Sequence, residues 1–132
     1  MKKSILNDAL DHLSHDLKMN QLISKFGKPQ FTKTNDNFNA LSKSIIYQQL
    51  SGKVAKIIYL RFVNLFKNKQ PNADEYLKIN IDLLREIGLS KQKISYISNL
   101  SYFFIENDNL DNFNTLTDQE ISKKLLSIKG IG

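Results

Sequence analysis

The stretch "LLSIKGIG", Leu125 to Gly132, carries a helical apolar run into a Gly-Ile-Gly turn. Just upstream, "TDQE" gives Thr117 and Glu120 the spacing of a capping box, in which each residue satisfies an open N–H of the other's first turn. Residues 117–132 therefore predict a helix opened by Thr117 and closed by a sharp reversal at Gly130 and Gly132. Taken alone, this is a glycine-terminated helix with a hydrophobic contact. The same glycines also let successive backbone N–H groups face outward with no side chain in the way, a geometry that cradles a phosphate. Lys129 adds positive charge beside it.

Charge bears on that choice. The chain carries a formal net charge of +6, with 19 Lys and Arg against 13 Asp and Glu. From Asn37 to Ala73 there is no acid, while Lys43, Lys53, Lys56, Arg61, Lys67 and Lys69 are present. The whole excess falls in that stretch. A localised positive field attracts polyanions, nucleic acid first among them. The alternative is a solvated helix face in a lysine-rich chain. With 41% hydrophobic residues the 132-residue chain can bury a core. There is no cysteine, which excludes disulfides, thiolate iron–sulfur clusters and cysteine-based zinc sites. No apolar run reaches membrane-spanning length, and the acid-interrupted start lacks the apolar segment of a signal peptide. These features are those expected of a cytoplasmic protein with no membrane partner.

The rest of the chain predicts helices joined by short loops. "ILNDALDHLSHDLKMNQLISKF" puts Ile5, Leu6, Leu10, Leu13, Leu17, Leu22 and Phe26 near one helical stripe, ended by Gly27 and Pro29. "FNALSKSIIYQQL" aligns Phe38, Leu41 and Ile45. Ser51 caps the next helix, on which Val54, Ala55, Ile58, Phe62, Leu65 and Phe66 form the apolar face. Lys53, Lys56 and Arg61 lie opposite, with Ile57 and Leu60 among them. Pro71-Asn72 is a break. Asn80 opens a short helix closed by Gly88, and Ser90 caps "KQKISYISNLSYFFIEN". A polar loop then leads to Thr117. No strand alternation or repeat interrupts this pattern, so the fold class is all-α, as a single domain over 1–132.

Conventional catalytic patterns are scarce. His12 and His15 lie one turn apart beside Asp8, Asp11 and Asp16, but no third strong ligand is identifiable, so they read as an exposed polar face and no metal site is assigned. Nucleophile motifs and Walker- or Rossmann-type glycine loops are missing. One other stretch stands out: "IIYQQLSGK", Ile45 to Lys53, puts two glutamines at a helix–helix junction inside the acid-free region. Glutamine donates and accepts hydrogen bonds as base edges do. Alone, the pair reads as exposed polar residues ahead of a cap.

In combination, "FNALSKSIIYQQLSGKVA", "LREIGLSKQKISYISNLS" and "LLSIKGIG", in this order, resemble the helix-hairpin-helix superfamily of DNA base-excision glycosylases, most closely its DNA-3-methyladenine glycosylase II branch. The resemblance runs from about Leu10 to Gly132. It implies removal of alkylated bases such as 3-methyladenine by hydrolysis of the N-glycosidic bond after base flipping. The partner is double-stranded DNA, the protein a monomer, and no cofactor is needed. Carried over, Gly130, Ile131 and Gly132 are the hairpin that grips a phosphate, flanked by Lys129. Gln48 and Gln49 match the segment that enters the duplex, with Gln49 as the wedge. Ser51, Lys53 and Lys56 belong to the DNA-facing junction, Tyr47 approaches the base pocket, and "GLSKQK", Gly88 to Lys93, is mainly structural. The catalytic aspartate that the resemblance implies falls beyond Gly132; Asp111 and Asp118 precede the hairpin and do not match it. The expected reading is the front portion of a glycosylase, from a truncated gene, a partial sequence or a decayed copy, with no excision by the 132 residues alone. The apolar face of its last helix, Ile121, Leu125, Leu126 and Ile128, is then expected to lack cover. A non-enzymatic helix-hairpin-helix DNA-binding module and a helical protein–protein adaptor are the alternatives.

Overall fold

The computed structural model describes residues 3–110 and 113–132. Asp111 lies outside the described residues. Among those described, regular structure is helical throughout, with eight α-helices and three short 3-10 turns. The chain gathers into two compact units, Met1–Thr34 and Asn35–Gly132. No helix is long and apolar enough to cross a membrane among the described residues.

The first unit is a pair of helices, α1 (Lys3–Ser14) and α2 (Leu17–Phe26). The apolar stripe suggests one continuous run here, but the chain turns at His15 and Asp16. Three side chains compete with the helix at that point. Ser14 Oγ donates to the Asp11 carbonyl at 2.6 Å, and His15 Nδ1 lies 2.8 Å from the same oxygen. Asp16 adopts ψ 127° and its carboxylate accepts from the Met19 N–H at 2.9 Å, capping a new helix. The break folds the stripe back on itself and half-buries Leu6, Leu10, Met19 and Ile23. So short a unit fully buries none of its helical residues, and Leu17 stays 81% exposed and Phe26 72%.

In the second unit, α7 (Lys91–Glu106) is the hub. Its inner face, Ile94, Ile97, Leu100, Ser101 and Phe104, is buried by α3 (Asn37–Tyr47), α5 (Ala73–Lys78) and α6 (Ile81–Glu86), while α4 (Gly52–Val63) packs on α3. Caps set these elements locally: Ser51 accepts from Val54 N–H, Asn80 from Asp82 N–H and Ser90 from Lys93 N–H. The core is rich in aromatics. Phe38 meets Phe104 edge-on at 5.4 Å between centroids, and Phe62 meets Phe66 at 4.9 Å.

Two details depart from the sequence pattern. Val54 is 46% exposed; Ala55, Ile58 and Phe62 make the buried face of α4. The stretch after the Pro71-Asn72 break is itself a helix, α5, capped by Asn72 through the Glu75 N–H. Its six residues are too few for periodicity to register, yet Ala73 and Tyr76 enter the core. Tyr76 donates its hydroxyl to the Ile94 carbonyl at 2.8 Å, and burial pushes its pKa up to about 12. Two serines are also fully buried: Ser101 Oγ donates to the Ile97 carbonyl, whereas Ser42 Oγ has no partner.

The last helix, α8 (Asp118–Leu126), opens with the expected reciprocal capping box of Thr117 and Glu120. The Thr117 backbone N–H and then its hydroxyl hold the Glu120 carboxyl below its usual pKa. Its apolar face divides. Ile128, just past the helix, is buried, Ile121 and Leu125 are half-buried, and Leu126 is 60% exposed. The expected lack of cover is therefore confined mainly to Leu126, because the turn carries Ile128 into the core.

Candidate nucleic-acid interface

The α3–α4 junction is a tight outward turn. After Tyr47 the backbone is extended at Gln48 (φ −56°, ψ 131°) and left-handed at Gln49 (φ 57°). The left-handed region costs an L-residue roughly 1–2 kcal/mol, so something must hold Gln49 there. The Leu50 N–H closes on the Tyr47 carbonyl at 3.4 Å. Stronger support comes from across the unit: Lys93 Nζ donates to the Ile46 carbonyl at 2.7 Å and to the Gln48 carbonyl at 2.8 Å. Partial burial holds the Lys93 ammonium below the usual lysine pKa. Both glutamine side chains are exposed.

The hairpin lies against this junction. Gly130 has φ +115°, and a Cβ there would sit 2.4 Å from Tyr96 Cγ, so both backbone geometry and space demand glycine. Gly132 has φ +114°, with Leu126 Cδ2 2.9 Å from where a Cβ would be. Ile131 is half-buried against the core, and its N–H donates to the Ile128 carbonyl at 3.1 Å. The turn's carbonyls are tied inward: Gln48 Nε2 donates to the Gly130 carbonyl at 3.1 Å and Asn99 Nδ2 to the Lys129 carbonyl at 3.3 Å. Among the described residues, the N–H groups of Lys129, Gly130 and Gly132 have no acceptor. Carbonyls engaged and amides open is the electrostatic pattern that suits an anion.

Junction and hairpin together enclose a cleft of about 250 Å³. Gln48 and Gln49 form one side, Gln92, Lys93 and Tyr96 of α7 the floor, and Gly130 and Gly132 the other side. Gln92 Nε2 donates to the Tyr96 hydroxyl at 2.7 Å, which fixes both side chains. No carboxylate lines it among the described residues.

The candidates from the sequence thus separate. Gln48, Gln49, Gly130 and Gly132 share the cleft, while exposed Lys129 flanks it. Ser51 has its hydroxyl committed to capping α4, and Ile131 is an anchor on the core side. Lys53 and Lys56 are exposed on α4 and do not line the cleft. Tyr47 is not among the residues that line it: its ring meets Tyr59 edge-on at 6.3 Å, with Lys43 Nζ 5.6 Å and 5.1 Å from the two centroids. Tyr59 in turn donates to Asn39 Oδ1. His15 directs Nδ1 at the backbone, and no group of three or more His, Asp or Glu among the described residues is arranged to hold a metal. Gln92, Tyr96 and Asn99 fall within the stretch "LREIGLSKQKISYISNLS" that carries the resemblance, but sequence reading gave none of them a role of its own; folding turns them to the hairpin.

The chain is similar to known proteins. The model of the HhH-GPD superfamily of base excision DNA repair proteins matches residues 42–130, which include both glutamines and Gly130. The chain is 24% identical over 115 residues to DNA-3-methyladenine glycosylase 1 of Schizosaccharomyces pombe, covering 85% of itself and 50% of that protein. Its fold is similar to that of the Schizosaccharomyces pombe 3-methyladenine DNA glycosylase Mag1 solved in complex with abasic DNA. The TM-score is 0.83 at 26% identity, over 95% of this chain and 64% of Mag1. It is also similar to the DNA-3-methyladenine glycosidase of Bacillus halodurans, with a TM-score of 0.71 and 31% identity over 91% of this chain and 56% of the other. The chain spans about half the length of the curated relatives it matches. The match over residues 42–130 takes in most of the second unit, from α3 to the hairpin, and the chain belongs to the HhH-GPD superfamily of base excision DNA repair proteins.

Proposed function

We propose that this chain is the DNA-gripping part of a glycosylase that removes alkylated bases such as 3-methyladenine from double-stranded DNA. The observation that carries this is the Gln48 to Gly130 hydrogen bond, which locks the glutamine junction and the hairpin into one surface across 82 positions of sequence. Bond cleavage requires the damaged base to leave the stack, at a cost of a few kcal/mol. The hairpin N–H groups and Lys129 hold a backbone phosphate, fixing where the duplex sits. Gln49, carried outward by its left-handed turn, fills the space left by the extruded nucleotide. Lys53 and Lys56 extend the positive field along α4 and add affinity that does not depend on sequence. The names of the relatives support the alkylated-base substrate, and the abasic-DNA complex of Mag1 supports DNA as the partner. The carboxylate that steadies the developing sugar cation is assigned to none of residues 1–132. We read the protein as monomeric and cytoplasmic, requiring no cofactor.

The test is fluorescence anisotropy of the chain on two labelled duplexes of one sequence, one intact and one with a tetrahydrofuran abasic analogue. Tighter binding to the abasic duplex, weakening with salt for both, is the expected result. Equal affinity for the two, or binding indifferent to salt, overturns the proposal.

A further inference from the structure

Lys93 occupies a place that is unfavourable on two counts. It is the third residue of α7, where its own N–H is held by the Ser90 hydroxyl, so its charge sits at the positive end of a helix dipole. It is also partly desolvated. What offsets both costs lies across the unit. A helix leaves its last carbonyls without partners, and the Lys93 ammonium reaches the Ile46 carbonyl in the last turn of α3 and the Gln48 carbonyl just beyond it. The second oxygen belongs to the peptide joining Gln48 to Gln49. Fixing it fixes the plane from which Gln49 enters its left-handed turn.

We propose that Lys93 is the positioning residue of the DNA-entering junction: its two hydrogen bonds hold Gln49 in the strained conformation that presents its side chain to the duplex. The inference rests on the functional reading above. It makes a structural signature, "GLSKQK", part of the device that inserts into DNA, although Lys93 need not touch DNA itself. Without it, the open carbonyls are left to water and Gln49 relaxes toward negative φ. The wedge must then be ordered during binding, which weakens insertion selectively.

Three variants isolate the effect. Lys93→Met keeps the aliphatic stem and removes the donors. Lys93→Arg restores two donors. Lys91→Met removes the same charge two residues away, from an exposed site. Circular dichroism checks that each folds. Two measurements follow: amide hydrogen exchange in the free protein, and affinity for the intact and abasic duplexes. For Lys93→Met, exchange at Leu50, whose N–H closes the turn on the Tyr47 carbonyl, should quicken about tenfold, the worth of one charge-assisted hydrogen bond. The preference for the abasic duplex should fall by about the same factor. Affinity for intact duplex should drop no more than in Lys91→Met, and Lys93→Arg should recover most of the preference. If wild type prefers the abasic duplex and Lys93→Met keeps that preference, the positioning role is overturned while the functional reading stands. If wild type shows no preference, both fall. If exchange at Leu50 is unchanged in Lys93→Met, the clamp itself is refuted whatever DNA does.

Discussion

Gly130→Ala tests whether the hairpin depends on glycine. The new Cβ would lie 2.4 Å from Tyr96 Cγ, 2.6 Å from Tyr96 Cβ and 2.8 Å from Cδ2. Carbon atoms pack comfortably at roughly 3.5–4.0 Å, so the overlap exceeds what a small rotation relieves. One of the clashing atoms is attached directly to the α7 backbone and cannot swing aside. Overpacking of this kind costs roughly 1–3 kcal/mol, and holding alanine at φ +115° adds roughly 1–3 kcal/mol. The expected loss is about 2–6 kcal/mol against a typical stability of about 5–15. Either the fold weakens by that amount or the turn rearranges, breaking the Gln48 bond and opening the cleft. Urea denaturation followed by circular dichroism, with anisotropy on duplex DNA, reads both. Adding Tyr96→Ala removes the ring overlap but leaves the Cβ at 2.6 Å, so it should restore only part, with a coupling of about 1 kcal/mol. Gly52→Ala is the contrast: open space surrounds that position at the start of α4, and alanine there should stabilise by roughly 0.4–1 kcal/mol. A Gly130→Ala protein within about 0.5 kcal/mol of wild type, with DNA affinity intact, would refute the reasoning.

Ser42→Ala removes a buried hydroxyl that has no partner and should stabilise by about 0.5–1.5 kcal/mol; a loss above about 1 kcal/mol in thermal or urea unfolding would reveal a hydrogen bond that matters. Tyr76→Phe should cost only about 1 kcal/mol, since the Ile94 carbonyl still accepts from Ser98 Oγ. Because the folded Tyr76 keeps its proton up to a pKa of about 12, it contributes stability that is full below about 10 and lost as pH rises between those values; Tyr76→Phe should flatten that alkaline slope in unfolding curves. Glu75 is held low by the Lys67 backbone N–H and then by Asn72, and Glu120 by Thr117, so stability they contribute is present above pH 4.5 and lost on further acidification. Glu75→Gln should lessen that acid-side loss in pH-dependent urea midpoints. Lys53→Glu with Lys56→Glu should weaken binding to every duplex alike and reduce the salt slope by about two; an unchanged slope would remove the α4 face from the DNA contact.

Much of this protein was legible in its sequence because the signals are local. Ser51, Asn80, Ser90 and the Thr117–Glu120 pair each cap a helix within three residues of themselves, and a side chain that satisfies an N–H so near does so largely irrespective of the rest of the fold. The all-α class followed from such caps and from apolar spacing, and the QQ and GIG stretches meet at one cleft. What was not legible has two causes. α5 is too short to show a period and its Asn72 cap reads as part of a break, whereas the equally short α6 is marked by Asn80 and Gly88; the competing hydrogen bonds of Ser14, His15 and Asp16 overrode a stripe that looked continuous. The tertiary structure alone decided the site. It packed Tyr47 on Tyr59, brought Gln48 to the Gly130 carbonyl, and joined Lys93 to the Gln48 carbonyl. A cap is closed by neighbours along the chain, but a cleft exists only where segments far apart in sequence are pressed together, and burial of side chains such as Ile128 against the core supplies the force that does so.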